Sequence, residues 1–173
     1  AHAWSQRLIE VQPNTANLER HVSIALGLTE LESALAALTQ LRQRHPNQPG
    51  YLEQFAQTQQ WSGDVRGALD NAQQLAQQSG EARHFRWVIT LALSVRERHT
   101  AVKALSHLAR NDAITLEERR LWVDLLEELG EPDVAIRRIQ AWQAGGLHDE
   151  ALGIRLATWQ EQTGRLEEAA ATW

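Results

Sequence analysis

The feature that most constrains this chain is a phrase that returns along it. Gly63-Asp64-Val65-Arg66-Gly67-Ala68-Leu69 is matched by Gly130-Glu131-Pro132-Asp133-Val134-Ala135-Ile136, and again by Gly164-Arg165-Leu166-Glu167-Glu168-Ala169-Ala170. Weaker copies are Thr29-Glu30-Leu31-Glu32-Ser33-Ala34-Leu35 and His99-Thr100-Ala101-Val102-Lys103-Ala104-Leu105. Taking the key alanines as 34, 68, 104, 135 and 169 gives steps of 34, 36, 31 and 34 residues. Such a period belongs to small supersecondary units that cannot bury an apolar face alone and must stack on their neighbours.

The chemistry of the phrase says how each unit turns. Glycine ends a first helix because it enters the left-handed region without steric penalty. The acidic residue that often follows suits the positive end of a second helix. Alanine marks a place where two helices cross closely. Pro46 falls twelve residues after Ala34 and closes that unit, as Pro13 closes an earlier one.

Between the turns the apolar spacing is helical. Second helices present Leu31, Leu35, Leu38 and Leu41, then Val65, Leu69, Ala72 and Leu75, then Val134, Ile139 and Trp142. First helices present Leu52, Phe55 and Ala56, then Val88, Leu91, Ala92 and Val95, then Leu121, Trp122, Leu125 and Leu129. Thr29 with Glu32, and Thr115 with Glu118, have the spacing of a capping box. Helices of about 12 residues are marginal alone in water, so their stability must come from stacking.

These residues resemble the tetratricopeptide repeat (TPR) family over essentially the whole chain. The resemblance implies an all-α, right-handed superhelical solenoid of helix-turn-helix repeats in a single array. The expected units are a partial repeat at 1–14, repeats at 15–48, 49–84, 85–115 and 116–149, and a partial repeat at 150–173. The family's early tryptophan is replaced by Leu18, Leu52, Val88 and Arg119. With no methionine in the sequence and both ends inside repeats, the chain is expected to be a segment of a longer protein.

A narrower resemblance lies in the Gln- and Trp-rich stretch from Glu53 to Gln78, which contains Gln59-Gln60-Trp61-Ser62-Gly63-Asp64. It is similar to the TPR repeats of the Pel exopolysaccharide export family. That likeness implies a periplasmic scaffold, part of an outer-membrane protein. Its partners would be a polysaccharide hydrolase or deacetylase and a cationic amino-sugar polymer on its way to the pore. The competing reading is a cytoplasmic TPR adaptor or sensor segment of a regulator or assembly factor.

Charge narrows the partners. Residues 1–115 carry 11 basic and 10 acidic side chains, a net of +1, whereas residues 116–173 carry 6 and 12, a net of −6. Nucleic acid needs a basic stripe, which this chain lacks. No run approaches the roughly 18 apolar residues of a membrane span, so this segment is expected to make no membrane contact. A chain without cysteine has no disulfide, thiolate ligand or cysteine nucleophile.

Catalytic signatures are missing too. No phosphate loop, G-x-G-x-x-G, H-E-x-x-H or G-x-S-x-G occurs, and Gly145-Gly146 reads as an interhelical loop. His99 and His107 are too far apart for an i, i+4 metal pair. Adjacent carboxylates such as Glu117/Glu118, Glu127/Glu128 and Glu167/Glu168 point about 100° apart on a helix and form no acid–base site. The expectation is binding without catalysis, cofactor or metal.

TPR arrays bind along the face of their first helices, and register assigns to that face Glu53, Gln57, Gln60, Trp61, Arg86, Arg120, Asp124, Glu127 and Glu161. Trp61, just before a glycine turn, is the candidate anchor for a partner or a sugar ring. Trp122, Trp142 and Trp173 sit at inward positions and read as core.

Overall fold

Glycine turns spaced by amphipathic stretches fold here into helices and little else. The computed structural model describes residues 2–172, and among them it contains no strand. Packing divides the chain into two compact units, residues 1–108 and 109–173.

The first unit holds α1 (His2–Val11), α2 (Thr15–Gly27), α3 (Leu31–Arg44), α4 (Pro49–Ser62), α5 (Val65–Ser79) and α6 (Ala82–Ser94). It also holds most of α7 (Arg98–Arg110), within which the division between the units falls. Here α1 packs on α2, α2 on α3, α3 on α4, α4 on α5 and α5 on α6. Leu18, Val22, Ala37, Leu38 and Leu41 make one core cluster between α2 and α3, with Tyr51 and Phe55 of α4 packed against it. Each fully buried leucine contributes about 1.5–3 kcal/mol relative to exposure.

The second unit is built the same way from α8 (Leu116–Glu128), α9 (Pro132–Ala144), α10 (Glu150–Gln162) and α11 (Leu166–Thr172). Again α8 packs on α9, α9 on α10 and α10 on α11. Its core contains the indole of Trp122, which meets Trp142 edge-on at 5.9 Å. Trp142 is only half-buried. Guanidinium groups cover both rings, Arg138 at 4.5 Å from the Trp122 centroid and Arg119 at 4.9 Å from that of Trp142. Trp173 lies outside the described residues.

The repeat is more regular than its sequence suggests. First helices start at 15, 49, 82, 116 and 150, and second helices at 31, 65, 98, 132 and 166, so both series step by 34, 33, 34 and 34. Before each second helix one residue has a positive φ: Thr29 (59°), Gly63 (88°), Arg96 (62°), Gly130 (72°) and Gly164 (78°). Five residues after each lies an alanine no more than 2% exposed: Ala34, Ala68, Ala101, Ala135 and Ala169. The key alanine of the third copy is therefore Ala101, and the expected 36- and 31-residue steps through Ala104 are corrected. Ala104 is itself buried, three residues along the same helix, and Arg96 holds the turn where a glycine would have marked it. Accordingly α6 begins at Ala82, ahead of the boundary expected at 85.

One of the two capping boxes forms. Thr115 accepts from the Glu118 N–H at 3.2 Å while the Glu118 carboxylate accepts from the Thr115 N–H at 2.7 Å. Thr29 does not cap. Its backbone is left-handed, its hydroxyl donates to the Leu28 carbonyl at 2.6 Å, and the cap position falls to Glu30, whose side chain makes no cap bond.

Candidate first-helix binding face

With the register set, the candidate residues fall into few positions. Glu53, Arg86 and Arg120 are equivalent, each the fifth residue of its first helix. Gln57 and Asp124 share a second position, and Gln60, Glu127 and Glu161 a third. All lie on α4, α6, α8 or α10, and none is part of the buried core.

In the first unit, neighbouring first helices are tied by side chains about 30 residues apart. Tyr51 on α4 donates to Glu19 on α2 at 2.5 Å, and that bond raises the tyrosine pKa. Glu53 pairs with Arg83 of α6 at 2.8 Å. Arg83 also reaches Glu81 at 2.7 Å, and these two partners raise its pKa while it lowers that of Glu81. Gln60 accepts from the Trp87 indole N–H at 2.8 Å and from Gln57 at 3.3 Å. Trp87 is a member that sequence reasoning missed. The only signal for it was an aromatic on α6 at the flank of the buried Phe85 and Val88.

Trp61 differs from these. It is 59% exposed, and its indole N–H makes no hydrogen bond among the described residues. It stands between two hollows. One is bordered by Leu26, Glu53, Gln57 and Thr58, and the other by the turn from Thr29 to Glu32 together with Ser62.

In the second unit the charges of the face are mostly matched internally. Arg120 forks onto Asp149, at 2.5 and 3.3 Å, and Asp149 also caps α10 by accepting from the Leu152 N–H at 3.0 Å. The Arg120 bond, helped by the Leu152 N–H, lowers the Asp149 pKa and raises that of Arg120. Arg155 of α10 bonds Asp124 and lies 3.6 Å from Glu127. Glu161 is exposed on α10. The structure thus joins Asp124 and Glu127 through one guanidinium, and gives Arg120 a separate partner.

A polar cluster of a different kind is buried between α1, α2 and α3. Ser5 donates to the His2 carbonyl at 2.9 Å, so it must accept from Nδ1–H of His21 at 3.0 Å. That leaves Nε2 of His21 to accept from the Ser33 hydroxyl at 2.8 Å, and Ser33 to accept from Nε2–H of His2 at 3.2 Å. Every donor finds an acceptor with His21 neutral. Burial, then the positive charge available on stacked His2, lowers the His21 pKa.

Among the described residues no group of three or more His, Cys, Asp or Glu is arranged to hold a metal ion, and no helix is long and apolar enough to cross a membrane. No protein-family model matches the sequence, and no curated protein matches it. Solved structures do. A tetratricopeptide repeat protein from Parabacteroides merdae is 18% identical, with a TM-score of 0.57 over 99% of this chain and 69% of that one. A MamA protein is 15% identical, with a TM-score of 0.56 over 91% of this chain and 87% of that one. MamA from Desulfovibrio magneticus, 13% identical, gives 0.53 over 90% and 88%. At these identities the likeness shows the fold, which is of the TPR type.

Proposed function

We propose that this chain is a protein-binding scaffold without catalytic activity of its own. In the finer form of this reading it is the periplasmic TPR segment of a Pel-like exopolysaccharide export protein of the outer membrane, which recruits a polysaccharide-modifying hydrolase or deacetylase. The carrying observation is Trp61, a large ring left 59% exposed on a first helix whose Glu53, Gln57 and Gln60 side chains are engaged with neighbours. Exposed, rigid aromatic anchors dominate the energetics of protein docking. The TPR-type fold and the Gln- and Trp-rich stretch around Trp61 support the same assignment.

Direct protein docking is favoured over polymer guidance. Asp124, Glu127 and Asp149, which would have attracted a cationic amino-sugar polymer, are held by Arg155 and Arg120.

A pull-down with the 173-residue chain as bait, against separate periplasmic and cytosolic extracts, tests the proposal. Recovery of a periplasmic polysaccharide hydrolase or deacetylase, lost with Trp61→Ala, is the expected outcome. Recovery of cytosolic regulators or chaperones alone would overturn the export reading and favour a cytoplasmic adaptor. A charge reversal, Asp124→Lys with Glu127→Lys, reports separately on the α8 face.

A further inference from the structure

We propose that the surface around Trp61 is a docking site for a basic, apolar-flanked protein segment, with an arginine or lysine side chain laid on the indole. This rests on the scaffold reading and specifies the chemistry of one of its sites. Three observations meet at this place. The ring is exposed and flanked by two hollows, so a chain can lie on either side of it. Both hollows offer apolar surface, Leu26 in one and Leu31 in the other. Their charged lining is acidic only, Glu53 in the first and Glu30 and Glu32 in the second.

Glu53 is occupied by Arg83, whereas Glu30 and Glu32 are exposed and have no ion-pair partner among the described residues. A guanidinium or ammonium over an indole face is attracted by the ring quadrupole, most strongly for tryptophan. Glu30 and Glu32 are placed to neutralise its charge or that of a second basic residue along the segment. An acidic segment would meet like charge.

Panning a displayed library of random dodecapeptides on the 173-residue chain tests this. The expected result is enrichment of peptides that combine Arg or Lys with apolar residues. Synthetic versions should lose tenfold or more in affinity on Trp61→Ala and on Glu30→Lys with Glu32→Lys. Glu10→Lys with Asp70→Lys, exposed charge reversals on α1 and α5, should leave them unchanged. Circular dichroism of each variant confirms that the helices are intact, as expected for exposed positions.

The proposal is overturned if the selected peptides are acidic or show no charge bias, or if they bind Trp61→Ala as well as wild type. It is also overturned if a glucosamine oligomer, but no peptide, binds in a Trp61-dependent way. Concentration-dependent dimerisation abolished by Trp61→Ala would overturn it in favour of a second copy. A pull-down partner that needs Trp61, together with non-basic selected peptides, would sink the chemistry and leave the scaffold reading standing.

Discussion

Thr29 and Arg96 occupy the left-handed position that glycine holds at 63, 130 and 164. A β-branched residue there is strained by its Cβ, which glycine lacks. Thr29→Gly is expected to raise the free energy of unfolding by about 0.5–1 kcal/mol, read from the denaturant midpoint, because relief of strain exceeds the added flexibility of the unfolded chain. The converse holds at the alanines. Ala101 has no exposed surface, so Ala101→Leu should cost about 1–3 kcal/mol, while the same change at exposed Ala36 should be nearly neutral. These residues also show where the sequence stops speaking. At three turns the glycine announces the geometry. At Arg96 the side chain carries no sign of its φ, and two alanines three residues apart compete for the same role.

Caps and crossings decide how each helix is held. Thr115→Ala removes a formed capping box and should cost about 1 kcal/mol, whereas Thr29→Ala removes no cap and should not incur that cost. Asp149 does two jobs, capping α10 and binding Arg120 of α8. Its folded pKa lies below the ordinary 3.8, so its contribution is fully present above that value and is lost as pH falls through the folded pKa. Asp149→Asn keeps a capping acceptor but not the charge, and its unfolding midpoint should fall less steeply than wild type from about pH 5 to pH 2.

His21, at the crossing of α1 with α2 and α3, is likewise depressed below 6.5, and the stability it confers is present above 6.5 and lost on acidification. His21→Gln should flatten the thermal midpoint between about pH 7 and pH 5. Helix existence was legible from apolar spacing, since 3.6-residue periodicity is written in residue types. The bond from Trp87 to Gln60 was not, because it depends on the register between two helices and on the reach of an amide side chain.

Across the whole chain, charge and packing divide at nearly the same place. Residues 1–108 carry 10 basic and 9 acidic side chains, and residues 109–173 carry 7 and 13, so the two compact units have nets of +1 and −6. From α1 to α6, and again from α8 to α11, consecutive helices pack on one another, and stability is a sum of neighbouring interfaces rather than one shared core. Amide hydrogen exchange should therefore grade along each unit. α11, where Ala169 is the buried residue, is expected to exchange ahead of α10, and α1 ahead of α3. Uniform protection within a unit would contradict that additive picture. The same regular step of 34, 33, 34 and 34 residues has a mechanical meaning. Pulled between bead and surface, each unit stacked this way acts as a stepped spring. Each yielded hairpin releases roughly 34 residues of contour, about 110–120 Å of slack, in discrete rips of nearly equal length.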